Sequence, residues 1–499
     1  MNKLVLRPID RISLFIMAAL MLVIVGLIIG EKNCGSQCFL RKGPRVKSLT
    51  WQNKQIGAKD RAFILTFDRP MDTVSVEKNL VIDPPVPGKF SWAGRRLAYT
   101  LKNPVPYGQT YQIHLSGARE RFRQEGQPGE VMEPFMGEFQ SRDRALAYIG
   151  TQGKEEGRLV FYNLTRQNKR ILTPRELVVI DFEFYPQGDY ILFSAASQGR
   201  GIEGLRELQL YKVTTGVDNG VDNPTANQPG KIELILDNED YQNNQFDLSD
   251  NGKIIVVQRV NRQNPADFDL WMLKSGDKPE RLKVTGGEFS ITPDSQTLAV
   301  ARGEGIGILP LEPLAEPLDF LPKFGQLLNF APNGSAAAMV DFNTDDANLR
   351  YMRSLFYVNN QGVQKELLTT EGSIIDCQFN LKGTILYCLL TELVNTEEYK
   401  EQPYFAKFDL KKGAMVPLAT LSDYRDIKIS LSPDGLALLF DQVVTSDNPI
   451  FNDKLTSNSG EAIVGGQLWL LIPPTQNTVN TQVELKELPL IGFNPQWLP

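Results

Sequence analysis

The sequence predicts an all-β protein: a small β-sandwich followed by a β-propeller, with one apolar helix before both. Three observations predict this class. A strand, a Pro-x-Gly-like turn and a second strand recur six times within residues 145–499. Residues 46–141 alternate apolar and polar positions in short runs separated by proline and glycine turns. Residues 12–30 carry no charge. Hydrophobic residues make up 42% of the 499, which is enough to build sizeable cores.

The apolar run Ile12–Gly30 predicts a transmembrane helix. Its 19 uncharged residues would span about 28 Å as a helix, close to the ~30 Å of a hydrocarbon core. Neither an A-x-A-like cleavage site nor a lipobox follows, so we expect an uncleaved anchor after a cytoplasmic tail, residues 1–11. Basic residues flank both ends, and the positive-inside rule is either equivocal or points to the opposite orientation. The short tail and the cysteine spacing favour a C-terminal bulk outside the cytoplasm, joined by a linker, residues 31–45.

The four cysteines form two local pairs, Cys34/Cys38 and Cys377/Cys388, a pattern that suits an oxidising compartment. The second pair flanks a hairpin predicted around residues 380–383. A two-residue loop would place these cysteines opposite each other, whereas a three-residue loop with a glycine bulge would turn them to opposite faces. The repeat pattern favours the three-residue loop. Neither pair has C-x-x-C spacing, so we expect no metal site and no cofactor.

Residues 46–141 have the strand-and-turn rhythm of a β-sandwich. The segments Phe67-Asp68-Arg69-Pro70-Met71-Asp72 and Pro106-Tyr107-Gly108-Gln109-Thr110-Tyr111 resemble bacterial Ig-like domains of the S-layer-protein type. That resemblance implies a spacer or adhesion module without catalytic residues. The one histidine of the chain, His114, lies in a strand of this domain and is expected to be structural. Catalysis by histidine on the larger domain is therefore not expected.

Residues 145–499 predict a ring of repeated blades. The turn recurs at spacings of 64, 43, 39, 49 and 52 residues, at Gly188, Gly252, Ser295, Gly334, Gly383 and Gly435. A third and a weaker fourth strand follow each turn, and four strands per 40 to 50 residues is the size of a propeller blade. The last segment, Phe493–Trp497, lacks partner strands nearby, so we expect it to complete the first blade. This arrangement gives seven blades, with six or eight as alternatives.

The repeat resembles TolB-like and WD-repeat-like propellers through a shared rhythm, F-S-P-D-G followed by L-x-F and then L-W/Y. One example begins with Ser430-Leu431-Ser432-Pro433-Asp434-Gly435 and continues through Leu438 and Phe440. The resemblance implies a fold and leaves the function open, because propellers serve many functions.

The candidate binding residues lie in long polar loops between second and third strands, which should gather on one face of the ring. Three of these loops, residues 341–353, 391–403 and 441–466, carry eleven acidic residues against four basic ones. The acidic residues are Asp341, Asp345, Asp346, Glu392, Glu397, Glu398, Glu401, Asp441, Asp447, Asp453 and Glu461. Such a face suits a basic protein segment or a divalent ion. Solvated loop decoration is the alternative.

The sequence favours a binding role over catalysis. It contains no Gly-rich phosphate loop and no nucleophile elbow, and its net charge of −6 argues against nucleic acid as a partner. We expect a non-catalytic membrane-anchored protein of the periplasm, or of the thylakoid lumen if the source is cyanobacterial, that binds a protein partner. The alternative is a glycan-binding or carboxylate-dependent glycan-processing propeller, which needs two carboxylates in the central funnel. An assembly factor for a membrane complex is a third reading.

Overall fold

The computed structural model describes residues 13, 15–25, 43–121, 129–217, 228–284, 287–303, 305–316, 318–344, 346–395, 400–421, 427–446, 462–474 and 483–499. Strands dominate this part of the chain, which confirms the all-β prediction. The chain divides into two compact units. The first contains the described residues of Met1–Lys54, Arg61–Asn103 and Thr110–Gln140, and the second contains Gln55–Asp60, Pro104–Gln109 and Ser141–Pro499.

Residues 13 and 15–25 are helical. Within the described ranges, no helix is both long and apolar enough to cross a membrane. The rest of the predicted span 12–30 lies outside those ranges, as do Cys34 and Cys38.

The early elements are β1 (Val46–Leu49), β2 (Gln55–Ile56), β3 (Ala62–Phe67), α1 (Thr73–Asn79), β4 (Leu80–Asp83), β5 (Gly88–Ala93), β6 (Arg96–Leu101), β7 (Thr110–Leu115) and β8 (Phe135–Ser141). The strands form two four-stranded antiparallel sheets, with orders β1-β3-β6-β5 and β2-β8-β7-β4. Alternate residues of β3 and β7 are buried, as the sequence pattern predicts. Trp51 packs between Phe63 and Phe139 at ring-centroid distances of 5.4 and 5.1 Å. Aromatic residues therefore form the core of this unit.

The second unit contains seven four-stranded antiparallel sheets, which we call blades 1 to 7. Blade 1 comprises β36 (Gly492–Trp497), β9 (Ala145–Gly150), β10 (Leu159–Asn163) and β11 (Asn168–Ile171). Blade 2 comprises β12 (Leu177–Phe184), β13 (Tyr190–Ser197), β14 (Gln209–Thr214) and β15 (Ile232–Leu236). Blade 3 comprises β16 (Tyr241–Leu248), β17 (Ile254–Asn261), β18 (Phe268–Lys274) and β19 (Glu280–Arg281). Blade 4 comprises β20 (Phe289–Ile291), β21 (Thr297–Arg302), β22 (Gly305–Pro310) and β23 (Asp319–Leu321).

Blades 5 to 7 continue the same order. Blade 5 comprises β24 (Gln326–Phe330), β25 (Ala336–Asp341), β26 (Arg353–Asn359) and β27 (Gln364–Thr370). Blade 6 comprises β28 (Ile374–Phe379), β29 (Ile385–Asn395), β30 (Lys400–Asp409) and β31 (Ala414–Thr420). Blade 7 comprises β32 (Ile429–Leu431), β33 (Leu438–Ser446), β34 (Ala462–Ile472) and β35 (Glu484–Glu487). Two short 3₁₀ helices, Gly153–Glu155 and Gly201–Arg206, lie in loops of blades 1 and 2.

The blades form a closed ring because a buried apolar cluster lies between each consecutive pair. Six clusters join blade 1 to 2, 2 to 3, and so on to blade 7. A seventh joins blade 7 to blade 1, where Leu439 and Leu468 meet Leu146 and Trp497. Each small sheet thus buries both faces against its neighbours, which is the packing of a β-propeller. The C-terminal strand β36 completes blade 1, as the sequence predicts.

The hairpin between β28 and β29 differs from the favoured prediction. Cys377 pairs directly with Cys388, and a disulfide joins them across 4.1 Å between Cα atoms. The turn holds four residues between the paired Asn380 and Ile385, so the three-residue loop is wrong. The Asn380 side chain explains this turn, because its Oδ1 accepts hydrogen bonds from the backbone N–H groups of Thr384 and Ile385.

Candidate functional site

The inner strand of every blade carries a polar residue at the same place in the repeat. These residues, which we call the inner ring, are Glu183, Asp247, Ser290, Asn329, Gln378, Ser430 and Gln496. An inner strand pairs with its own blade on one side only, so its other edge exposes backbone N–H and C=O groups that need partners. The inner ring lies where such partners are required.

Inner-ring side chains join neighbouring blades by bonding to that free edge. Glu183 Oε2 accepts from Leu248 N at 3.0 Å, and Asp247 accepts from Ile291 N. Gln378 both accepts from Leu431 N and donates to the carbonyl of Ile429, each at 2.7 Å.

The same pattern continues across the closure of the ring. Trp497 N donates to Ser430 Oγ at 3.1 Å, and the Gln496 amide donates to the carbonyl of Phe182. Among the described residues, a hydrogen bond between an inner-ring side chain and the backbone of the neighbouring blade occurs at five of the seven blade junctions.

The inner strands of blades 6, 7, 1 and 2 enclose a cavity of about 400 Å³, which we call the central cavity. Its lining residues are Asp181, Glu183, Phe184, Gln378, Lys428, Ile429, Ser430, Asn494, Gln496, Trp497 and Pro499. Among the lining side chains, two are carboxylates and one is an ammonium group. A register shift between Val179 and Asp181 marks a β-bulge in β12, and such bulges re-aim the following side chain.

Asp441 connects the two strands that meet at the closure of the ring. This side chain is fully buried, with 0% exposure. Its two oxygens accept from Lys428 N at 2.7 Å and from Asn494 N at 2.6 Å. The Asn494 side chain in turn donates to Asp181 Oδ1 at 2.8 Å. A polar network therefore runs from blade 7 through blade 1 to blade 2.

Burial shifts the acid–base properties of these carboxyl groups. Desolvation raises the pKa of both Asp376 and Asp441 to about 7, although the positive charge of Lys428 opposes the shift in each case. Burial also raises the pKa of Asp181, again against Lys428. For Glu183, burial and then the charge of Asp247 raise the pKa well above its usual value.

Asp247 interacts with Glu183, and burial raises the pKa of Asp247 to about 6. Ionised carboxylates are therefore costly around the central cavity, and a cation entering it would reduce that cost. Among the described residues, no group of three or more His, Cys, Asp or Glu side chains is placed to hold a metal ion.

Five of the eleven acidic loop residues lie in the described part of the chain. Asp341 and Asp441 were expected in loops, but β25 and β33 extend through them and bury both side chains. Asp341 Oδ1 accepts from Asn343 N at 2.8 Å, so its carboxylate is used within the fold. Both residues therefore lie in strands, and the prediction that they lie in loops is wrong.

The other acidic candidates divide into three groups. Asp346 and Glu392 are exposed, and Glu401 is half-buried, where it accepts from the hydroxyl groups of Ser373 and Thr391. Glu392 and Glu401 were also expected in a loop, but they lie in β29 and β30, which extend further than the sequence predicts. The remaining candidates, Asp345, Glu397, Glu398, Asp447, Asp453 and Glu461, lie outside the described residues.

Sequence reasoning missed the inner ring and, among the carboxylates beside it, Asp181 and Asp376, although it did name Asp441. The signal was present, because Glu183, Asp247 and Gln378 each lie one residue before the last apolar residue of the inner strand. Aligning the six repeats by their turns would have shown one polar position recurring five residues before each turn residue.

Comparison with protein-family models found no matching family, and comparison with curated proteins found no match. Solved structures do show similarity. TolB from Acinetobacter baumannii is 9% identical over 84% of this chain and 83% of its own, with a TM-score of 0.40. A hypothetical selenium-binding protein from Sulfolobus tokodaii is 12% identical over 71% and 93%, with a TM-score of 0.45.

An oligogalacturonate lyase from Vibrio parahaemolyticus is 11% identical over 67% of this chain and 98% of its own, with a TM-score of 0.36. The structures with this likeness thus include a lyase. The ring described above rests on its own sheets and cores rather than on these similarities.

Proposed function

We propose that this chain is a non-catalytic, membrane-anchored binding protein of the cell envelope, which holds a cationic segment of a protein partner in the central cavity. The charge around that cavity is the observation that carries the proposal. Asp181 and Glu183 line it, and Asp376 and Asp441 lie close enough to interact with Lys428. Carboxylates therefore outnumber the one ammonium group among these described side chains.

A cationic ligand would relieve the cost of burying these carboxylates. A lysine or arginine side chain of a partner favours the ionised form of each acid, and so lowers its pKa. Binding is then coupled to proton release. Because the pKa values of Asp376 and Asp441 are raised to about 7, we expect the affinity to increase from pH 6 to pH 8.

The hydrogen bonds of the carboxylates favour binding over catalysis. Glu183 accepts from Leu248 N, and Asp181 accepts from the Asn494 amide and from Phe182 N at 2.9 Å. Such bonds fix the carboxylates as preorganised acceptors. They leave these groups less free to exchange protons with a substrate.

The test is a pull-down from crosslinked membranes with the full chain. The double variant Asp181→Asn/Glu183→Gln removes both charges but keeps an acceptor oxygen at each position. The matched control Asp277→Asn/Glu280→Gln removes the same two charges from exposed positions on blade 3. We expect the wild type and the control to recover a partner protein that the cavity variant does not recover. Equal recovery by all three, or no specific partner, would contradict it.

A carboxylate-dependent glycan-processing propeller is the second candidate, favoured by one observation. Asp181 and Glu183 line the same cavity two residues apart on β12. Residues two apart on a strand point to the same face, and a glycosidase needs two carboxylates that face one substrate. Oligosaccharide hydrolysis by the wild type that the cavity variant loses would support this candidate. Absence of hydrolysis across a panel of oligosaccharides would reject it.

We also propose that residues 12–30 anchor the chain in a membrane with its bulk outside the cytoplasm. The described residues 15–25 are helical and expose large apolar side chains, including Phe15, Met21 and Leu22. Deletion of residues 12–30 should release the protein from membranes in an alkaline wash that leaves the full chain bound. Release of the full chain by the same wash would contradict the anchor.

A further inference from the structure

A second cavity, of about 200 Å³, lies between blades 1 and 2 and shares no lining residue with the central cavity. We call it the blade 1–2 cavity. Its lining residues are Gly153, Lys154, Glu156, Gly157, Arg175, Val178, Ile180, Ala196, Ser197, Gln198, Gly199, Arg200, Gly201, Gly204 and Leu205. They come from the β9–β10, β11–β12 and β13–β14 connections and from the adjoining ends of β12 and β13.

The charge of this cavity is opposite to that of the whole chain. Lys154, Arg175 and Arg200 line it, against the single acidic side chain of Glu156, whereas the chain carries a net charge of −6. Four apolar residues, including Val178 and Leu205, form part of the lining, and two polar side chains and five glycines form the rest. A local positive charge next to a low-dielectric wall strengthens attraction for an anion.

Two of the three cations are available to a ligand. Within the described part of the chain, the Lys154 ammonium and the Arg175 guanidinium have no hydrogen-bond or ion-pair partner. Arg200 contacts Glu207 at 3.5 Å, and both side chains are largely open to solvent, at 54% and 35% exposure. Exposed pairs of this kind are weak, so the Arg200 guanidinium can also turn toward an anion.

The volume and the charge together define the ligand. Pockets that enclose a whole drug-sized ligand measure about 300 to 1,000 Å³, so this cavity suits one head group. The lining has three positive charges and one negative charge. A phosphate monoester carries roughly −1.5 to −2 at neutral pH, which matches that excess. Arginine also binds phosphate oxygens in a bidentate manner.

We propose that the blade 1–2 cavity binds a phosphate monoester group, supplied by a small soluble phosphate or by a lipid head group. The site is separate from the central cavity, so this proposal stands independently of the partner proposed there.

The test is isothermal titration calorimetry on the full chain in detergent at low salt. The probes are glycerol 3-phosphate for the soluble source and short-chain phosphatidic acid for the lipid source, with short-chain phosphatidylcholine as the diester control. We expect at least one monoester probe to bind and the phosphatidylcholine not to bind. Whichever monoester binds more tightly identifies the source.

Charge-removing variants test the residues. Arg175→Gln and Lys154→Gln should each weaken binding roughly ten- to hundredfold, the range for losing a hydrogen bond to a charged group. Arg175→Lys should recover part of the affinity, since it restores the charge without the planar guanidinium. The control Arg350→Gln removes an exposed charge in blade 5 and should leave binding unchanged. Absence of binding by both monoesters, or equal weakening in the control, would overturn the proposal.

Discussion

Gln378 illustrates how one inner-ring side chain holds two blades together. Its amide accepts from Leu431 N and donates to the Ile429 carbonyl, and it satisfies two backbone groups that blade 7 leaves unpaired. The side chain thus takes the place of a neighbouring strand. Glu183 and Asp247 satisfy only a backbone donor in the next blade.

Replacing Gln378 with leucine should destabilise the ring. Leucine has a similar size but leaves the N–H of Leu431 and the carbonyl of Ile429 without partners, at a cost of about 1 to 3 kcal/mol each. Thermal unfolding should show a clearly lowered Tm for Gln378→Leu. The control Gln361→Leu, in an exposed turn of blade 5, should unfold at nearly the wild-type temperature. Equal Tm values for the two variants would contradict the structural role of the inner ring.

The raised pKa values of the acids near Lys428 predict how stability depends on pH. Asp376 has a folded-state pKa of about 7, above the roughly 3.9 of an exposed aspartate. The folded state therefore favours the protonated Asp376 carboxyl. This contribution to the free energy of unfolding is fully present below about pH 4 and is lost as the pH rises toward 7. The variant Asp376→Asn cannot ionise, so it should be more stable than the wild type at pH 8.

Thermal unfolding of Asp376→Asn and the wild type, measured between pH 5 and pH 8, checks this prediction. The difference in Tm should be largest at pH 8 and should shrink toward pH 5, where the wild-type carboxyl is protonated. A variant that loses stability relative to the wild type as the pH rises would show that Lys428 stabilises the ionised carboxylate more than burial destabilises it.

The C-terminal strand β36 is the element that closes the ring. It pairs with β9, and its residues Phe493 and Trp497 belong to the cores on either side of blade 1. The sequence predicts this closure from particular residues, because a strand-like segment at 493–497 has no partner strands after it. The turn spacing likewise predicts all six remaining blades.

The variant Trp497→Ala tests the closing strand. Trp497 is 6% exposed between blades 7 and 1, and truncating a buried tryptophan typically costs about 3 to 5 kcal/mol. Chemical denaturation should show a loss of this size. Leu485→Ala, on the outer strand β35 where the side chain is 43% exposed, is the control and should cost much less. A small loss for Trp497→Ala would contradict the role of this side chain in joining blade 7 to blade 1.

The β28–β29 hairpin shows where sequence reasoning stops. Glycine at position 383 was visible in the sequence, but the loop length depends on Asn380, whose side chain bonds to the N–H groups of Thr384 and Ile385. Loop length decides whether Cys377 faces Cys388. The burial of Asp341 and Asp441 was missed for a related reason. A strand can continue through a polar residue where the fold supplies hydrogen-bond partners for its side chain.

The disulfide should stabilise the fold by restricting the unfolded chain. The two cysteines are 11 residues apart, for which the chain-entropy model gives about 3 kcal/mol. Cys377→Ser/Cys388→Ser should therefore lower the Tm, and reducing agent should affect the wild type but not this variant. Peptide mapping without reduction should recover the two cysteines as one crosslinked species. Free thiols at both positions in protein from its native membrane would contradict the bond and the oxidising compartment.

At the scale of the whole molecule, the ring combines a rigid scaffold with two cavities of opposite charge. The central cavity is acidic and is enclosed by inner strands, whereas the blade 1–2 cavity is basic and is enclosed by connecting loops. Sequence reasoning identified the scaffold from its repeats. It did not identify the cavities. The residues of the central cavity are distant in sequence and meet only when β36 closes blade 1. The blade 1–2 cavity lies among loops whose paths the repeat pattern does not predict.

The most direct test of a cation-binding central cavity is calorimetric titration of the full chain with a tri-arginine peptide at pH 6 and pH 8. Because cations favour ionised carboxylates, the wild type should bind more tightly at pH 8. At pH 6, binding should release protons. The variant Asp181→Asn/Glu183→Gln should bind at least tenfold more weakly, while Asp277→Asn/Glu280→Gln should match the wild type. Equal affinity in the wild type and the cavity variant, or tighter binding at pH 6, would contradict the account.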